Sequence, residues 1–350
     1  KADNCGGLLE EDVYQPDPDE VIQDPILHWA VRSAMNAVKS GVKLTAEMVA
    51  DPSVQNISYE LCNHPEDFEG WKWPYYIESL EGLQYATSAK MIDIGYTANI
   101  EGKKIDSVEP LAPLTQLEIL YLKQDGIADI SPLKGLVNLQ ELNLSGNHDI
   151  ADISAVKDMK KLVMLDISTN SVKDLTPIEG LTSLERLNAS GNEISELPDM
   201  SNLGKLTAVD FSENQLTNVD ELAKLAHLEE INLSGNDGLT DITALAALTS
   251  LEEDSCYLPT TQMKTDLFAA INVNRQFLKF NISKMTQADL ENVVAALQAY
   301  EDLTADQKEY IDAGMIKAAE ENKEKVQAGQ EPTYYPEYDK GGEAVPVLDR

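Results

Sequence analysis

The chain has 350 residues, enough to bury a sizeable core and to hold more than one domain. Its 61 Asp and Glu against 27 Lys and Arg leave a formal charge of −34, which counts against nucleic-acid and membrane-surface partners and favours a protein partner with a basic patch. No apolar run reaches the roughly 18 residues of a membrane span, and three cysteines (Cys5, Cys62 and Cys256) are too few for a disulfide framework.

Residues 1–21 read as an acidic N-terminal segment. The chain opens at Lys1 rather than Met, which fits a processed, exported protein and an arbitrary boundary equally well. Cys5 in ADNC echoes a lipidation motif, but Asn4 stands where a small residue is needed. QPDPDE, Gln15 to Glu20, suits an acidic linker better than a calcium loop because of its two prolines. Residues 22–76 are expected to form a helical N-terminal cap, a first repeat turn and an aromatic insert. In DPILHWAVRSAMNAV, Asp24 is the N-cap and Pro25 the first helical residue, with Leu27, Ala30, Val31, Ala34, Met35 and Val38 on one face. LTAEMVADPSV and IESLEGLQYATSAKMIDI continue the cap.

Residues 77–259 carry an internal repeat, which decides the fold. LQELNLSGNHDIADI recurs as LVMLDISTNSVKDL, LERLNASGNEISEL, LTAVDFSENQLTNV and LEEINLSGNDGLTDI. Its asparagines, Asn147, Asn170, Asn192, Asn214 and Asn236, are spaced by 23, 22, 22 and 22 residues. Asp125, Thr97 and Cys62 take the same slot in earlier turns, and Pro259 fills it where the pattern stops. One turn is too small to bury its own leucines, so turns must stack on a common apolar core. The slot Asn is expected to face inward, offering donors and an acceptor to the backbone of neighbouring turns. Strands are expected at 57–59, 92–94, 120–122, 142–144, 165–167, 187–189, 209–211, 231–233 and 254–256, forming a parallel sheet on a concave face. Pro110, Pro132 and Pro177 point to 3₁₀ or extended turns on the opposite wall. The fold class is therefore α/β, a leucine-rich-repeat solenoid with a helical N-terminal cap and a C-terminal helical hairpin.

Three outward columns are expected on that sheet. The middle one runs Asp93, Tyr121, Asn143, Asp166, Asn188, Asp210, Asn232, Ser255, and the next Gly95, Lys123, Ser145, Ser168, Ser190, Ser212, Ser234, Tyr257. Both are read more readily as repeat consensus than as a ligand ladder. The variable column runs Met91, Ile119, Glu141, Met164, Arg186, Ala208, Glu230, Glu253, apolar at its start beside Tyr96 and Tyr121 and acidic at its end. Cys62 and Thr97 are spaced by 35 residues where 22 are expected. The surplus contains EGWKWPYY, so Trp71, Trp73, Tyr75 and Tyr76 elaborate the loop leaving the first strand. Four aromatics could cover on the order of 800 Å², so they are expected either to lie over the first turns as a lid or to meet a partner. The candidate binding residues are therefore Trp71, Trp73, Tyr75, Tyr76, Tyr96, Tyr121, Met91, Ile119, Arg186, Glu230 and Glu253.

Residues 260–282 should cap the repeats and 283–330 form the hairpin, with Thr304 and Gln307 as a capping box opening its second helix. The tail, 331–350, is rich in Pro, Gly and Tyr; some of Tyr334, Tyr335 and Tyr338 are expected to dock onto the body or a neighbour. His28, His64, His148 and His227 are scattered, and no H-E-x-x-H, G-x-S-x-G or phosphate-binding loop is present. Neither a catalytic site nor a metal or cofactor is expected.

The 22-residue units with D-I-x-P-L on their outer side resemble the internalin-type repeats of bacterial surface proteins, and the upstream helices resemble the helical caps of that family. YEDLTADQKEY, Tyr300 to Tyr310, resembles the helical hairpins of Gram-positive surface proteins. The resemblance covers residues 22–327 and implies a non-catalytic adhesion or recognition module, secreted or at the bacterial cell surface, that binds a protein. The typical cell-wall anchoring motif is not found, and no individual contact residue carries over. Glycan binding through stacked aromatics and an intracellular leucine-rich-repeat scaffold are the alternatives.

Overall fold

A computed structural model describes residues 17–35, 42–58, 77–95 and 104–339. Two compact units divide the chain at Glu193 and Ile194.

In the first unit, Asp24 caps helix α1 (Pro25–Ala34), its Oδ1 accepting from the N–H of Leu27 at 3.0 Å. Leu27, Ala30 and Val31 are fully buried. Val38, the last residue of the expected face, lies outside the described residues. Thr45 caps the short α2 (Ala46–Val49). The region expected to be an acidic linker is partly folded inward. Glu20 is buried, and its Oε1 accepts from the N–H of Leu44 at 2.6 Å and from Arg32 at 2.9 Å, with His28 Nε2 at 3.3 Å. A carboxylate removed from water needs such partners, which the linker reading did not anticipate. Gly82, at φ 99, lies so close to Val21 that a Cβ would sit 2.3 Å from its carbonyl oxygen.

Six short parallel strands follow in register: β1 (Asn56–Ser58), β2 (Met91–Asp93), β3 (Ile119–Tyr121), β4 (Glu141–Asn143), β5 (Met164–Asp166) and β6 (Arg186–Asn188). Each begins one residue before its expected position, and every central residue is buried. Short 3₁₀ turns at Glu109–Leu111, Ser131–Gly135 and Thr176–Ile178 form the opposite wall where Pro110, Pro132 and Pro177 were expected to place them, and Ser154–Val156 forms another without a proline.

The second unit holds β7 (Ala208–Asp210), β8 (Glu230–Asn232) and β9 (Cys256–Tyr257), also parallel. Here the last strand departs from expectation. Residues 253–255 form a 3₁₀ turn, and Cys256 rather than Asp254 pairs with Ile231. Asp254 at that position would be a buried charge, whereas the Cys256 thiol buries completely.

Helix α3 (Thr261–Phe277) lies against the last repeat, and its Leu267, Phe268 and Ile271 are buried. Its Asn274 and Arg275 donate to the carbonyls of Ala246, Thr249 and Leu251. Helices α4 (Leu290–Glu301), α5 (Ala305–Lys308) and α6 (Ala313–Gln327) complete the unit. Thr304 and Gln307 form the expected reciprocal cap, but it opens the one-turn α5, and Asp312 caps the long α6. Beyond α6, Tyr335 and Tyr338 dock on the unit, while Tyr334 is 60 % exposed.

Candidate binding face

Asparagine side chains link successive turns behind the strands. Asn147 Nδ2 donates to the carbonyls of Leu122 and Leu144, both at 2.8 Å, and its Oδ1 accepts from the N–H of Asp125 and Ile127. Asn192 bonds Ile167 and Ala189 and accepts from Val172. In the second unit, Asn236 bonds Phe211 and Leu233 and accepts from Leu216, while Asn214 accepts from Ile194. Asn170 donates to Leu144 and Ile167, but its Oδ1 has no hydrogen-bond partner. This is the 23-residue turn, where the added residue His148 (φ 65) displaces the backbone donor that the other turns present.

On the open face, the middle column turns its polar atoms onto itself. Asn143, Asp166, Asn188, Asp210 and Asn232 each accept, through Oδ1, from both the N–H and the hydroxyl of the Ser two residues on. These are side-chain turns that close the strand ends, and they use the lone pairs a ligand would need.

The variable column is different. In the first unit, Met91, Ile119, Glu141, Met164 and Arg186 stand side by side in register. Tyr121 reaches diagonally and donates its hydroxyl to Glu141, while Lys123 Nζ lies 5.2 Å from the Tyr121 ring centroid. Burial first, then the Glu141 hydrogen bond and charge, push the Tyr121 phenol up to about 12. The phenol thus remains a donor, holding the Glu141 carboxylate against the sheet. What remains outward is an apolar stretch of Met91, Ile119 and Met164, bordered by the exposed Arg186. In the second unit, Glu230 is half-buried on β8, while Glu229, Glu252, Glu253 and Asp254 are exposed.

Two positions need correction. Glu253 lies in the turn before β9 rather than on a strand, and Tyr257, not Ser255, pairs with Asn232 in the middle column. Tyr257 is 57 % exposed, with Lys264 Nζ 5.9 Å from its ring. The polar Asp254 in a core slot was the available signal for this shift. Trp71, Trp73, Tyr75, Tyr76 and Tyr96 lie outside the described residues. Cys256 is buried and its thiol pushed up to about 11. Among the described residues no helix is long and apolar enough to cross a membrane.

A family model described as leucine-rich repeats in two copies matches residues 115–158, 137–180 and 204–247. Internalin C2 from Listeria monocytogenes shares 24 % identity and a TM-score of 0.55, over 66 % of this chain and 92 % of that one. Weaker likenesses include an internalin F from the same organism (22 %, TM-score 0.46, 74 % and 90 %) and a leucine-rich-repeat protein from Leptospira interrogans (24 %, 0.43, 51 % and 45 %). No curated protein matches the sequence.

Proposed function

We propose, from the premise that this chain is an internalin-like leucine-rich-repeat protein, that it is a non-catalytic module binding a protein ligand outside a bacterial cell. The observation that carries this reading is the variable column of the first unit. Its neighbours spend their polar atoms within the fold, and Tyr121 holds the one central carboxylate, so the outward Met91, Ile119 and Met164, beside Arg186, form the surface that distinguishes a partner. Apolar side chains beside an arginine suit a protein surface, since Met and Arg are enriched at the cores of protein interfaces. Trp71, Trp73, Tyr75, Tyr76 and Tyr96 are proposed, from the sequence, as further contacts for the same ligand. Separately, in the second unit, Glu230 and Glu253 are candidate acidic contacts for a basic partner patch.

The test uses immobilised wild-type chain and an Ile119→Ala/Met164→Ala variant against bacterial-surface and host extracellular protein fractions, with a glycan array in parallel. A protein ligand recovered by the wild type should bind the double variant at least about tenfold more weakly, a loss of about 1.4 kcal/mol. Equal affinity in a variant with unchanged circular dichroism sinks the assignment to this column. Binding to sugars alone replaces protein with glycan.

A further inference from the structure

Residues 333–339, beyond α6, are held by side chains that imitate a neighbouring strand. Asn322, fully buried on α6, clasps Thr333 in both directions: its Nδ2 donates to the Thr333 carbonyl at 2.8 Å and its Oδ1 accepts from the Thr333 N–H at 2.6 Å. Two residues later Ser283 does the same. Its hydroxyl donates to the Tyr335 carbonyl at 2.6 Å and accepts from the Tyr335 N–H at 2.9 Å. Backbone bonds at alternate residues are how an added strand is gripped, independently of its side chains. Selectivity is added by two carboxylates: Tyr335 donates to Glu321 at 2.6 Å and Tyr338 to Asp312 at 2.8 Å. Lys284 and Asn281 close the end of the groove on Asp339, at 2.8 and 3.0 Å.

We infer that this groove is a recognition site for a segment that enters extended, turns into a 3₁₀ helix at Pro336–Tyr338 and carries tyrosines at its third and sixth positions, and that its second occupant is the same tail of another copy of the chain. Every copy carries both halves, so an exchanged pair keeps all the contacts just described. The connection is short: Gly329 (φ 74) and Gln330 donate their N–H groups back to Val326 and Lys325 and close α6, so an exchanged tail departs at the exposed Glu331 and half-buried Pro332. The tethered tail has an effective concentration in the millimolar range, which holds the closed form in dilute solution. Exchange therefore belongs to crowded conditions, such as a densely covered surface. This goes beyond the proposed ligand-binding face and does not depend on it.

The Lys284–Asp339 ion pair supplies the test, because a zero-length carbodiimide reagent can join the two as an amide. Equal amounts of unlabelled and isotope-labelled full chain are incubated at ~1 mM and at ~10 μM, on either side of the tether's effective concentration, then cross-linked and digested. The expected result is a mixed-label Lys284–Asp339 peptide in the concentrated sample, absent from the dilute one and suppressed by excess synthetic peptide spanning Glu331 to Asp339. Same-label cross-links alone in both samples overturn exchange. Mixed-label links spread equally over unrelated lysines also overturn it, by showing non-specific association. Absence of the Lys284–Asp339 link in every sample overturns the groove itself.

Discussion

The side-chain oxygen of Asn147 accepts a hydrogen bond from the backbone N–H of Asp125 in the preceding turn, at 3.0 Å. Asn170, the corresponding residue one turn later, donates as Asn147 does, yet its oxygen accepts nothing. The same residue type in the same slot should therefore differ in worth. Asn147→Ala strands three backbone groups, at Leu122, Asp125 and Ile127, away from water, while the Leu144 carbonyl keeps its bond from Asn170. At roughly 1–3 kcal/mol for an unsatisfied buried group, partly relieved by relaxation, the loss should be about 3–4 kcal/mol. Asn170→Ala should cost about 1–2 kcal/mol less, since no donor loses its acceptor. Urea denaturation of the two variants checks this, and equal losses would contradict the account of the 23-residue turn.

The residue before each slot from Asp125 to Asn236 takes the left-handed conformation, whether or not it is glycine. Gly146 and Gly191 have φ 72 and 63, while Thr169 holds φ 55 despite its branched Cβ. Left-handed backbone costs a residue with a Cβ roughly 1–2 kcal/mol, against about 0.5–1 kcal/mol of extra chain entropy for Gly. Thr169→Gly should therefore raise stability by up to about 1 kcal/mol. Gly191→Ala should lower it by about 1 kcal/mol, because its new methyl group finds ordinary contacts with Thr169 at 3.5 Å. Gly146→Ala should be worse, since its Cβ would lie 2.7 Å from Gln124 Cγ. Thermal denaturation ranks the variants, and a reversed order of the two alanine substitutions would refute the steric argument.

The repeats were readable because their chemistry is local and recurrent: a leucine at a fixed step and an amide at a fixed slot define each turn. Where local pattern and burial conflicted, counting misled. Placing a strand at 254–256 followed the spacing, but only the shift to Cys256–Tyr257 keeps Asp254 in solvent. The Tyr121–Glu141 pair was hidden for another reason. Its partners stand in different columns of different turns, and the contact depends on how far a phenol reaches across the sheet. Glu20 was misread as linker because its partners, Arg32 and the Leu44 N–H, lie 12 and 24 residues away, on elements whose packing no short window reveals. Docking of the tail tyrosines was expected, but not its partners: Tyr335 meets Ser283 across 52 residues.

The buried cluster around Glu20 makes the N-terminal cap sensitive to mild acid. His28 Nε2 lies 3.3 Å from both Arg32 Nε, which donates to it, and Glu20 Oε1. Burial, more than the Arg32 charge, lowers the His28 pKa, and Glu20 only partly offsets this. The unfolded chain thus takes up a proton near pH 6.5, while the folded chain resists until the pH is lower. Between those values the unfolded state binds more protons, so the stability present above pH 6.5 declines as the pH falls. Protonation also converts Nε2 from acceptor to donor, setting it against Arg32. Thermal unfolding followed from pH 7.5 to 5 should show the melting temperature falling faster in the wild type than in His28→Gln, which has no group titrating at that position. A constant gap between the two curves would show that His28 takes no part in the acid response.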